Sequence, residues 1–145
     1  MKLIFKKISI ASDHAGYKLK HQIKKFLLKK NIPILDMGPL KAISVDYPIY
    51  AKKVANSIKF KKGEAGILIC GSGTGMSMSA NKVKGIRAAL CYNKKSTYLS
   101  RLHNDANIIT IGSRFTNKKN ALLLIMLFLN TKFEGGRHLR RVKKI

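Results

Sequence analysis

The chain has 145 residues, 46% of them hydrophobic, and a net charge of +24 from 30 Lys and Arg against six Asp and Glu. That length is enough for one domain with its own core. So few carboxylates exclude paired-acid chemistry and oxygen-rich metal cages, and no His/Cys spacing reads as a zinc site. Along the chain, residues 7–12 (KISIAS) predict a first strand, followed by DHAG. Residues 15–30 predict a helix, with Leu19, Ile23, Phe26 and Leu27 at i, i+4, i+7 and i+8. IPILDMG (32–38) is a second strand, ended by Gly38-Pro39. A helix over 47–58 opens with DYP, a proline in the first turn. AGILICG (65–71) is a third strand, with a short helix over 75–82 after it. GIRAALC (85–91) is a fourth strand, 94–103 a helix, NIITIG (107–112) a fifth strand and 118–129 a helix. The last fifteen residues, 131–145, read as a loop and a short basic helix.

Strands that each lead into a helix imply a parallel sheet covered on both faces. The expected fold is α/β, a Rossmann-like three-layer α/β/α sandwich with a five-stranded parallel sheet. It spans 1–145 as a single domain that includes the basic segment 131–145. The strands are nearly continuous in apolar residues, as both-face burial requires. Ligands of such sheets bind at the carboxyl ends of the strands. Ser12-Asp13-His14, Cys70-Gly71-Ser72 and Gly112-Ser113-Arg114 stand at those ends.

Two cysteines without a Cys-x-x-Cys pairing fit a reducing compartment, and lysines interrupt the N-terminal apolar stretch. The longest apolar run, Ala121 to Leu129, is about half of a membrane span. A cytoplasmic protein without a membrane partner is expected. The lysines are scattered in pairs and no aromatic ladder accompanies them, so no specific nucleic-acid partner is expected despite the charge.

GSGTG places Gly71, Gly73 and Gly75 between a strand and a helix, a nest for an anion. A dinucleotide fits poorly, because Met76 stands where G-x-G-x-x-G needs glycine and no acid follows about 20 residues on. The lysine of a triphosphate-binding P-loop is absent too. A smaller anion or a developing oxyanion is left. Cys70 sits at the mouth of this nest, where helix N-terminal dipoles favour a thiolate. Position alone also allows a small hydrophobic residue ending a core strand. Cys91 ends a strand without such a nest and reads as structural. Asp13 could cap the first helix. His103-Asn104-Asp105 form a polar group between a helix and a core strand, and His21 reads as surface. Arg137, His138 and Arg141 share one helical face, a spacing that suits phosphate or a solvated C-terminus.

SDHAG, VDYP, ILICGSGTGMSMSANK, IRAALC, SRLHNDANIITIGSR and FEGGRHLRRV occur in that order. Together they closely resemble ribose-5-phosphate isomerase of the B type, in the family shared with the galactose-6-phosphate isomerase subunits. The resemblance runs from about residue 8 to 142. It implies interconversion of ribose 5-phosphate and ribulose 5-phosphate through an enediolate, without metal or organic cofactor. By matching positions, Cys70 would be the base at C2 and His103 the ring-opening acid/base. Ser72, where relatives often have threonine, would hydrogen-bond the reacting sugar. Gly71, Ser72, Gly73, Thr74 and Gly75 would hold the enediolate oxygen. Asp13 matches a contact near the ring oxygen, Asn104 a sugar-hydroxyl contact, and Tyr47 a position beside the site. Arg137 and Arg141 would clamp the phosphate, with His14, Arg114 and His138 nearby. The family forms homodimers or homotetramers with the site shared between subunits. Hexose-phosphate isomerases of the same family, acting on allose 6-phosphate or galactose 6-phosphate, are the alternative. A non-catalytic basic binding protein is a more distant one.

Overall fold

The computed structural model describes residues 3–145. Five strands, β1 (Ile8–Ser12), β2 (Ile34–Asp36), β3 (Ala65–Cys70), β4 (Ala88–Leu90) and β5 (Ile108–Gly112), form one parallel sheet in the order β2-β1-β3-β5-β4. Six helices accompany them: α1 (Tyr17–Lys29), α2 (Tyr47–Lys59), α3 (Thr74–Ala80), α4 (Lys94–Leu102), α5 (Lys118–Asn130) and α6 (Arg137–Val142). The fold is the expected three-layer α/β sandwich. The helices α1, α4 and α5 cover one face and α2 and α3 the other. Right-handed crossovers require this division, because the chain steps to one side of β1 through α1 and to the other through α2 and α3.

The two faces are read off alternating residues. Ile67 and Ile69 of β3 pack with Ile109 and Ile111 of β5 under α1 and α5. Leu68 and Cys70 turn the other way, towards Val54, Met76 and Ala80. Each buried Ile or Leu contributes about 1.5–3 kcal/mol relative to exposure.

The central strands match the sequence reading closely, whereas β2 and β4 are shorter than predicted. Both are edge strands with a single neighbour. At β4 the Asn81 amide takes over the open edge, accepting from the Ala88 N–H at 2.7 Å and donating to the Ala88 carbonyl at 2.9 Å. At β2 the chain turns after Asp36, whose carboxylate accepts from Gly38 N–H at 3.0 Å and pairs with Lys20 and Lys24, both at 2.9 Å. Burial alone would push the Asp36 carboxyl up, but the two ammoniums and the Gly38 N–H hold it below its ordinary value. Lys20 is fully buried and also donates to Pro39 O at 2.6 Å. This ties α1 to the loop that reaches the end of β1, where Ser12 N–H donates to Gly38 O at 3.1 Å.

The strand order reverses between β1 and β3. A crevice therefore opens where their carboxyl ends part, between Asp13 and Cys70.

Candidate active site

Cys70 ends β3 and faces α3. Gly73 follows at φ 79, and a Cβ there would stand 2.7 Å from Leu90 Cδ1 and 2.9 Å from the Ile111 carbonyl carbon. Glycine alone takes this turn without a clash. The turn aims Gly73 N–H at Cys70 Sγ, 3.1 Å away. The sulfur is thus a hydrogen-bond acceptor for the backbone of the turn. Thr74 N–H donates to Ser72 Oγ at 3.2 Å, which leaves the Ser72 hydroxyl proton free to donate outward.

Asp13, Tyr47, Cys70, Gly71, Ser72, Gly75, Arg114 and Phe115 line one open pocket of about 420 Å³. That size accommodates a small sugar phosphate. Asp13 lines the pocket, and its Oδ1 accepts from Gly16 N–H at 3.0 Å in the turn before α1; the N-cap position of α1 itself falls to Gly16 rather than to Asp13. Arg114 lies over Gly71, where a Cβ would come within 2.9 Å of its Nη1. His14 is exposed in the turn beside Asp13 and is not part of the pocket lining.

The remaining predicted residues lie elsewhere. In a parallel sheet the helices return from the carboxyl edge to the amino edge. His103 follows the nine residues of α4, so it stands roughly 13 Å back from the carboxyl edge. The α5 helix likewise delivers segment 131–145 to the amino edge. There the His103 and His138 rings stack, with centroids 4.1 Å apart and planes at 10°. Glu134 Oε2 is 3.2 Å from His138 Nε2 and 3.7 Å from His103 Nε2. The single helical face expected for Arg137, His138 and Arg141 is divided: His138 turns inward and is buried, while both arginines are exposed. Packing against His103 outweighs the simple i, i+4 grouping. Burial pushes the His138 imidazole below its ordinary value, His103, Arg137 and Arg141 add to this, and Glu134 opposes it. Asn104 is exposed and lines a separate pocket with Asn81, Arg87 and Ile145.

His103, Glu134 and His138 bring three ligand-type atoms within 4.8 Å. They suit a metal poorly. Two nearly parallel stacked rings cannot both aim a lone pair at one ion, and Arg137 and Arg141 lie close by.

A family model described as Ribose/Galactose Isomerase matches residues 8–145. The chain belongs to that family. It is 41% identical to ribose-5-phosphate isomerase B of Escherichia coli (strain K12) over 140 residues, covering 97% of this chain and 94% of that one. It superposes on ribose-5-phosphate isomerase B of Clostridium thermocellum with a TM-score of 0.94 and 47% identity, covering 95% of this chain and 93% of the other. The Mycoplasma genitalium ribose-5-phosphate isomerase B with bound ribulose-5-phosphate gives a TM-score of 0.91 at 43% identity, covering 95% and 92%. The ribose/galactose isomerase fold is thus shared over nearly the whole chain. Among the described residues no helix is long and apolar enough to cross a membrane.

Two residues beside these groups escaped the sequence reading. Phe115 lines the Cys70 pocket, edge-on to Tyr92 at 6.3 Å. Glu134 bridges the histidines; its signal was an acid four residues before His138 in a chain with only six acids.

Proposed function

We propose that the protein interconverts D-ribose 5-phosphate and D-ribulose 5-phosphate in the cytoplasm, as a homo-oligomer whose sites are shared between copies. Chain 1–145 would act as one sugar-phosphate isomerase domain. The observation that carries this reading is the Cys70 pocket at the strand-order reversal, with Gly73 N–H aimed at the sulfur. Family membership supports it, as do relatives named ribose-5-phosphate isomerase B.

In this reading His103 gives a proton to the ring oxygen as the C1–O4 bond breaks, the anomeric hydroxyl gives its proton to water as the C1 aldehyde forms, and Asp13 holds that end of the sugar. The Cys70 thiolate then removes the C2 proton. The C–H electrons form the C1–C2 double bond, and charge moves onto the carbonyl oxygen. The Gly71–Gly75 backbone and the Ser72 hydroxyl receive that charge. One well-placed oxyanion donor is worth about 3–4 kcal/mol of barrier. The Cys70 thiol returns the proton to C1, the C2 hydroxyl proton passes to the C1 oxygen, and the C2 carbonyl forms. Arg137 and Arg141 take the phosphate, with His14, Arg114 and His138 close by, and Asn104 and Tyr47 contact the sugar.

Cys70 and His103 lie at opposite edges of one chain, so the reading requires a second copy to bring His103, Asn104, Arg137 and Arg141 over the Cys70 pocket. A C2 arrangement does this twice per dimer. The test gives purified protein ribose 5-phosphate, galactose 6-phosphate and allose 6-phosphate in parallel and follows ketose formation. Turnover of ribose 5-phosphate is expected to be fastest, and no turnover of it overturns the reading. Mixing inactive Cys70→Ala and His103→Ala chains tests the sharing. Random pairing leaves one intact site in half of the dimers, so about a quarter of the activity returns. No recovery after subunit exchange would place both groups in one chain's site.

A further inference from the structure

Arg101 lies two residues before His103, on α4, and its side chain is only 4% exposed. Its guanidinium packs between Phe5 and Phe128, 4.8 and 5.7 Å from the ring centroids. Nη1 donates to Asp105 Oδ1 at 2.8 Å and to Ala106 O at 2.6 Å. Nε donates to Thr131 O at 3.1 Å. One buried side chain therefore joins two separate pieces of backbone. The first is the turn that carries His103 and Asn104. The second begins the segment that carries Glu134, Arg137, His138 and Arg141.

The turn needs such a clamp. Asp105 sits at φ 46, in the left-handed region that residues other than glycine seldom adopt. Arg87 grips the same turn from the other side: Nη2 meets Asp105 Oδ2 at 3.0 Å, and Nε donates to the carbonyls of Asn104 at 3.2 Å and Asp105 at 2.9 Å. One of only six acids in a chain of charge +24 thus stands between two arginines at this turn. The second piece is fastened at one more point, Glu134 N–H to Leu102 O at 2.9 Å. The His103–His138 stack rests on these two attachments. A guanidinium fork, with donors fixed in one plane, can hold all three acceptors at once; an ammonium cannot hold them in that geometry.

We propose that Arg101 is a positioning residue for His103, holding the His103 turn in register with the segment that bears Glu134 and His138. The proposal rests on the isomerase reading above, in which His103 opens the sugar ring.

That role separates two rates. Ribose 5-phosphate is mostly a closed furanose and needs ring opening. Ribulose 5-phosphate carries its phosphate on O5, so it cannot close onto C2 and stays open. Exchange of its C1 proton for solvent deuterium, measured with ribulose 5-phosphate saturating so that phosphate binding does not limit it, needs the base and the enediolate cradle but no ring opening. In Arg101→Lys, conversion of ribose 5-phosphate is expected to fall about 100-fold, the scale set by a misplacement of about 1 Å, while C1 exchange stays within about threefold of the parent. Asp105→Asn loosens the same clamp while leaving the carbonyl bonds of Arg101 in place. It is expected to give the same split, smaller, and it decides the matter alone if Arg101→Lys does not fold. Equal losses in both assays, or no loss in either, would overturn the proposal. A parent protein that fails to convert ribose 5-phosphate would instead sink the isomerase reading; an active parent without the split sinks only the role of Arg101.

Discussion

The two edges of the sheet present polar groups by different means. At the carboxyl edge, Cys70, Gly73 and Asp13 are placed by backbone. Strand register sets Ser12 beside Ile69 and Cys70 beside Gly112, and a glycine turn aims an N–H at the sulfur. At the amino edge, His103 follows the end of α4 and His138 lies in the first turn of α6, and side chains fix them: Glu134, Arg101, Asp105 and Arg87. The first arrangement tolerates little change because the chain path itself makes it. The second depends on a few charges and can be retuned without altering the fold.

The widest gap between the two edges should appear on removing the sulfur. Cys70→Ala is expected to lower turnover of ribose 5-phosphate by about 10²–10⁴, the usual share of a general base. Binding of an unreactive sugar phosphate should change little, since Arg137 and Arg141 belong to the other edge. Near-normal turnover would move the base away from Cys70 and remove the division of labour between the edges.

This contrast also explains what the sequence could reveal. The strand–glycine–helix pattern around Cys70 is local, so spacing alone located the nest and excluded dinucleotide and triphosphate. Alternation along β3 turned Cys70 to the α3 face as soon as the parallel sheet was inferred. Edge strands have a single neighbour and are regular over fewer residues than their apolar runs cover, so Ile32, Pro33, Met37, Ile86 and Cys91 fall outside β2 and β4. The His103 cluster is another matter. It unites α4, segment 131–136 and α6 through contacts between residues about thirty positions apart, for which no periodicity exists. Spacing leaves Arg137 and Arg141 between phosphate and a solvated C-terminus, and only the resemblance puts them with His103 in one site; Glu134 has the faint signal of its spacing from His138, and Arg101 has none.

A second cysteine sharpens the comparison from within the fold. Cys91 also follows a strand, but it is fully buried beside Ala89 O and Ser100 Oγ, at 3.5 and 4.0 Å. Burial pushes its thiol up, against hydroxyl contacts from Thr97 and Ser100. Cys91→Ala should cost about 1 kcal/mol in a denaturant titration and leave turnover unchanged. A large loss of turnover would mean that strand-end position, rather than the glycine nest, confers the chemistry.

The smallest expected effect concerns acid. No imidazole lines the Cys70 pocket, whereas the amino edge holds a stacked pair. The His138 imidazole is held below its ordinary value in the folded chain, first by burial and then by its cationic neighbours. In the unfolded chain it binds a proton near pH 6.5. As pH falls through that value, the unfolded state gains protons before the folded state does, so stability must drop. The drop ends once pH lies below the folded value as well. His138→Gln removes this linkage. Its stability should therefore decline less than the parent's between pH 7 and pH 5 in parallel denaturant titrations. Glu134→Gln should act in the opposite direction, because losing the carboxylate depresses the imidazole further and steepens the decline. If both variants followed the parent, acid sensitivity would originate away from the amino edge.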